Sequence, residues 1–313
     1  MTSTGTAPVF DVAAAYPEAG VLRSAVETGD WSTVSGFFTR FTTPDEQSFG
    51  VTVTMAVPSA EPMLRAAIRR EPRSSLPRVL LAAHFVQRGW TIRTSARAVH
   101  VRREQFAGMH EQLRYAEHLL IDVTAREPAN APAWWLRMTT SRGLGLGQSE
   151  TRRRYDRLAA HHPGVLAGQR NLLQQLCPKW GGSWDAAHAF LRECTDVARP
   201  GDPQGVLVPE LHLEHWLELG SEAGGEYLRQ PGVREEITAA AMTSVLHPAY
   251  HTRFGRVVAH STFAMAFSLI GDLPRAAAHF RALDGRASEI PWSYLPDPVV
   301  ALARHRDRAL AKG

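Results

Sequence analysis

The sequence predicts an all-α fold of stacked antiparallel helix pairs, on three observations. Apolar residues recur at spacings of three and four along most of the chain, the period of a helix with one buried stripe. Alternating β-branched runs are nearly absent. Prolines that would close helices stand at Pro128, Pro163 and Pro200, 35 and 37 residues apart, a period that suits two helices per unit.

The elements follow in order. Helices are expected over 18–29 and 31–41, parted by Gly29-Asp30, where glycine ends one helix and aspartate caps the next. The run GVTVTMAV at 50–57 alternates like a strand. It has no partner run nearby, and a lone strand is unstable, so it is read as a helix of weak propensity. Helices over 60–70 and 76–89 come next. Segment 102–126 is the longest, with Phe106, Met109, Leu113, Ala116, Leu120 and Val123 on one stripe. Helices over 132–142 and 149–161 flank the glycine run 143–147, GLGLG. That run lacks the Lys-Ser/Thr of a phosphate loop and follows a helix, so it is read as an interhelical turn. Further helices are expected over 164–176, 183–198, 206–219, 232–246, 251–270, 273–284 and 297–310. In 251–270 the stripe is Phe254, Val257, Val258, Phe263, Phe267 and Ile270. The organisation expected is an N-terminal helical region over 1–128 and a more regular one over 129–313, either separate or continuous.

Certain residues carry a family resemblance. In 257–284, Phe267, Gly271, Ala276 and Phe280 fall at the spacing of an aromatic, a turn glycine, a small residue and a second aromatic. In 131–163 the corresponding features are Trp134, Gly145, Tyr155 and Pro163; in 18–41 they are Gly29 and Phe38. These stretches resemble the tetratricopeptide (TPR) repeat. Val34 and Met138 depart from its small residues, and 102–126 fits no repeat, so the array is degenerate. The turn Pro178-Lys179-Trp180-Gly181-Gly182-Ser183 is similar to one in an uncharacterised group of bacterial TPR-like proteins. The resemblance implies an α-solenoid whose first helices line a concave face. That face would carry Trp135, Thr139 and Arg142, then Gln169, Leu173 and Leu176, then Ser261, Met265 and Ser268, and would take a protein or peptide. Lys179 and Trp180 would add a charge and an aromatic face beside it.

Composition bounds the chemistry. Two cysteines, Cys177 and Cys194, do not make a disulfide framework and read as small buried residues. No secretory signal or membrane-spanning run is present, so a cytoplasmic protein is expected. The net charge is +4, with 33 of 35 basic residues being Arg. Residues 61–160 hold 18 basic and 9 acidic side chains, including Arg65, Arg69, Arg70, Arg73, Arg93, Arg97, Arg102, Arg103, Arg152, Arg153, Arg154 and Arg157. No nucleic-acid fold signature accompanies them, so solvated helix faces are expected rather than a phosphate-binding surface. No nucleophile elbow, P-loop or dinucleotide fingerprint occurs, and no cofactor is expected. His212 and His215, one turn apart beside Glu214, and the set His247, His251 and His260 are the candidate metal ligands. The expected function is a non-catalytic scaffold that binds a protein or peptide. The alternative is an enzyme or small-ligand-binding protein with a His/Arg-lined pocket in the helical stack.

Overall fold

The computed structural model describes residues 8–96 and 98–313. Its eighteen α-helices are α1 (Val12–Ala15), α2 (Pro17–Thr28), α3 (Trp31–Arg40), α4 (Pro44–Met55), α5 (Glu61–Arg70), α6 (Leu76–Arg93), α7 (Arg103–Arg126), α8 (Ala131–Gly143), α9 (Gln148–Ala159), α10 (Leu166–Leu176), α11 (Trp184–Asp196), α12 (Leu207–Leu219), α13 (Ser221–Leu228), α14 (Pro231–Thr243), α15 (Arg256–Ile270), α16 (Leu273–Leu283), α17 (Glu289–Trp292) and α18 (Pro298–Lys312). The described residues contain no strand, only one isolated parallel bridge between Val9 and Arg286. None of the helices is long and apolar enough to cross a membrane.

Local chemistry explains the helix starts. Asp30, Asn130, Asp272 and Asp297 each accept a backbone N–H three residues on, and Thr43 forms a capping box with Glu46. Gly29 and Gly271 adopt φ of 75° and 91° at the end of a helix, directly before a capping aspartate. The β-branched run at 50–57 falls largely within α4, as expected. Its Thr43–Glu46 box fixes the start, and burial of Val51 and Val53 outweighs their weak helix propensity.

Contacts divide the chain into two compact units. One is Glu18–Ala186. Its centre is the hairpin of α6 and α7, against which α8 packs; α4 and α5 cover α6, and α9 and α10 complete the layer on α8. Met109, Leu113, Ala116, Leu120 and Val123 of the expected stripe are all buried. Gly143 lets α8 approach α7 closely: a Cβ there would lie 2.3 Å from Leu113 Cδ1, whose side chain would have to move aside. A polar knot crosses the same layers. Glu117 of α7 takes both Arg137 and Arg154 at 2.9 Å, and Arg154 also reaches Glu150 at 2.7 Å. Hydrogen bonds from Arg153 first, and then from Arg154, hold the Glu150 carboxyl down at about 2.

The other unit joins residues 187–313 to residues 8–17. Its axis is α15, buried along most of its length, with α16, α17 and α18 on it and α12, α13 and α14 also in contact. Trp292, Phe190, Phe263 and Phe267 are its largest fully buried side chains. Cys177 and Cys194 are both buried and not joined in a disulfide.

Candidate functional site

The first unit brings several expected residues together through the 178–183 turn. Gly181 has φ 82°, and a Cβ on Gly182 would lie 1.9 Å from Leu176 O, so both glycines are needed for the chain to reverse. Ser183 then accepts Ala186 N–H, as expected of a cap. The turn lays Trp180 edge-on to Trp90 of α6, with centroids 5.9 Å apart. The Arg142 guanidinium lies 5.8 Å from the Trp90 ring and 5.7 Å from Trp180; Arg93 lies 5.8 Å and 5.9 Å from the same two rings. Arg93 also donates to Thr94 O and Ala96 O, and Arg142 donates to Asn171. Trp180 and Arg142 are half-buried, and only Lys179 is well exposed. Two cations interleaved with two indoles form a rigid joint between helices.

Most residues expected on a concave face are buried. Trp135 and Thr139 are buried, and Thr139 binds Asn171 Oδ1 at 2.8 Å within the core. Gln169 and Leu173 are buried too, while Leu176 is half-buried. Ser261, Met265 and Ser268 have 0%, 0% and 5% of their surface exposed. For the last three the reason is that α15 is packed by neighbouring helices along most of its length.

An opening lies elsewhere in the unit Glu18–Ala186. A groove of about 620 Å³ is lined by Leu81 and Phe85 of α6, Tyr115 and Leu119 of α7, and Arg65 of α5, with Arg114 and His118 beside them. Tyr115 is 53% exposed, and its ring sits 5.7 Å from Phe85. The Arg65 guanidinium also stands 5.7 Å from the centre of the Phe85 ring and pairs with Glu61. Sequence reasoning gave Tyr115 no role, although it falls outside the buried stripe of its helix.

The basic run 152–157 does not present one face. Arg154 turns inward to Glu117, whereas Arg152, Arg153 and Arg157 remain exposed. Arg97 lies outside the described residues.

In the second unit, His212 is the hub of a titratable cluster. Its Nδ1 is 2.6 Å from the Tyr227 hydroxyl and its Nε2 is 3.1 Å from Glu236 Oε2. His188 lies 5.5 Å from the His212 ring, and His215 lies 4.2 Å from the Tyr227 ring. Burial, then the neighbouring His188 and His212, push His215 down to about 4. Glu214 faces elsewhere and accepts Tyr294 O–H at 2.8 Å. The order phenol–imidazole–carboxylate resembles a nucleophile, base and orienter. The electrostatics oppose that role: burial, and secondarily the Glu236 charge, raise the Tyr227 pKa, so the phenol keeps its proton. Glu236 is held below the usual carboxylate range, first by the His212 hydrogen bond.

His260 does not join this cluster as a ligand. Its Nδ1 meets His279 Nδ1 at 2.9 Å, and the His279 ring stacks on Phe263 and Phe267. Among the described residues no three His, Cys, Asp or Glu side chains are arranged to hold a metal ion, so His212, His215 and His260 form no metal centre, nor do His247, His251 and His260. His279 and Tyr227 were not singled out in the sequence; Tyr227 sits in a glycine-rich helix that periodicity alone does not reveal.

Comparison with family models, with curated proteins and with solved structures gave no match.

Proposed function

We propose that this chain is a TPR-like helical-repeat protein that works by binding a protein or peptide, and that its contact surface is the groove between α6 and α7. The TPR-like reading is supported by the α15–α16 pair. There Gly271 turns the chain, Asp272 caps, Ala276 has no exposed surface and Phe280 is buried between helices. Gly29 and Asp30 repeat the same turn between α2 and α3.

The observation that carries the binding reading is the half-exposed Tyr115 over the Phe85, Leu81 and Leu119 floor, with Arg65 and Arg114 at the edge. Tyrosine and arginine around an apolar floor are the composition of an interface centre. The surrounding segment, with twice as many basic as acidic residues over 61–160, favours a partner with an apolar anchor and acidic flanks.

Fluorescence anisotropy with a labelled amphipathic peptide, leucine on one face and glutamate on the other, tests this. Tyr115→Ala and Arg114→Glu are each expected to weaken binding about ten-fold, about 1.4 kcal/mol. Unchanged affinity in both variants, or equal binding of the lysine counterpart of the peptide, would reject the groove as the site.

A further inference from the structure

Charge is divided along this chain in a way that bears on the groove. Residues 200–228 hold six carboxylates, Asp202, Glu210, Glu214, Glu218, Glu222 and Glu226, and no Lys or Arg. Residues 61–160, which supply the groove, hold 18 basic and 9 acidic side chains. One polypeptide thus carries two segments of opposite sign. The glutamates recur at every fourth residue, and the fold sorts them. Glu214 is buried and accepts Tyr294 O–H, whereas Glu218, Glu222 and Glu226 are exposed where α12 turns into α13. The carboxylates of these three make no ion pair or hydrogen bond among the described residues. Leu219 stands between the first two with 43% of its surface exposed. Gly220, at φ 82°, ends α12 and opens α13, and every residue from 218 to 223 is exposed. The corner is therefore an apolar side chain with a carboxylate on either side.

The groove between α6 and α7 is its counterpart. Leu81, Phe85 and Leu119 make an apolar floor, and Tyr115 covers it in part. The charges at its edge are not of one sign. Arg65 is held by Glu61, and Glu111 shares the rim. Arg114 makes no ion pair among the described residues, so it is the charge left to take a carboxylate from outside.

We propose that the occupant of the groove is a second copy of this chain, which sets Leu219 of its α12–α13 corner against Phe85 and Tyr115 and brings Glu218 or Glu222 to Arg114. The inference rests on the binding reading of the groove and names its partner. Groove and corner are different surfaces, so the contact is heterologous: it closes as a reciprocal pair or continues as a row of copies. One apolar anchor with one or two ion pairs is a small contact, so the association is reversible and weakened by salt.

Sedimentation velocity on the full chain across the micromolar range tests it. The average mass should rise above that of one chain with concentration and fall back in high salt. Leu219→Ser and Tyr115→Ala should each weaken self-association about ten-fold. Each variant keeps the surface that the other has lost, so a mixture of the two should recover association that neither shows alone. A substitution that merely damaged the fold would give no such rescue. The labelled leucine–glutamate peptide separates this proposal from the reading beneath it. Peptide binding by a chain that stays monomeric at every concentration overturns the second copy as occupant and leaves the groove to another acidic protein with an apolar anchor. Self-association unchanged in both variants, or a mixture that fails to associate, also overturns it. Loss of both peptide binding and self-association in the parent chain rejects the groove itself.

Discussion

The Tyr227 hydroxyl and His212 Nδ1 lie 2.6 Å apart, in a cluster where His212 is almost wholly buried. With a neutral imidazole, both contacts of His212 are satisfied by one tautomer: the phenol donates to Nδ1, and Nε2–H donates to Glu236. The two contacts are thus coupled. Tyr227→Phe removes the donor and leaves Nδ1 buried without a partner. Urea unfolding should show a loss of about 1–3 kcal/mol. Nitrogen NMR of the His212 ring should show that the preference for the Nε2–H form is lost. A variant as stable as the parent would mean that the contact contributes nothing.

The His260–His279 pair makes stability acid-sensitive. Burial, then Arg256, pushes His260 down to about 4; burial, then His260, pushes His279 down to about 3. Both folded values lie below the ordinary 6.5, so the unfolded chain binds protons first. Their contribution is full above pH 6.5 and is lost as pH falls from there toward 4 and then 3. The slope is at most about 1.4 kcal/mol per pH unit for each ring. His279→Phe keeps the stack on Phe263 and Phe267 and should flatten the pH dependence of the melting temperature over that window.

Glu117 neutralises two arginines in a nearly dry site, with side-chain exposures of 13% for Glu117 and 3% for Arg154. Glu117→Gln leaves Arg137 and Arg154 without their shared carboxylate. The expected cost is about 3–5 kcal/mol in denaturant unfolding. Arg152→Gln, at an exposed pair with Asp156, should cost less than about 1 kcal/mol and serves as the contrast.

Gly182→Ala drives a Cβ into the Leu176 carbonyl. It should destabilise by about 1–3 kcal/mol. It should also shift the tryptophan emission of the chain as Trp180 leaves Trp90. Gly232→Ala, where nothing lies within 4 Å, should leave both unchanged.

Helices were legible in the sequence where stripe and cap agree. The expected 102–126 and 273–284 appear as Arg103–Arg126 and Leu273–Leu283. The helix Ser221–Leu228 was not legible, because Gly224 and Gly225 read as breakers. Gly224 in fact sits where a Cβ would be 2.5 Å from Trp216 O, so close packing demands it. The site was less legible still. Spacing shows that Ser261, Met265 and Ser268 share a face, but not that neighbouring helices cover that face; the mostly apolar composition of their helix was the available signal. His260 and His279 are 19 residues apart on different helices, and no local period joins them.

The clasp at Val9 has a consequence for biosynthesis. Val9 N–H reaches Gly285 O and Val9 O receives Ala287 N–H, while Tyr16 accepts Val257 N–H and packs on Phe254. An early stretch of polypeptide is therefore stitched to a very late one. On the ribosome, the intervening unit Glu18–Ala186 has all its own contacts available first, whereas the other must wait, its opening segment unengaged, until residue 287 has left the exit tunnel.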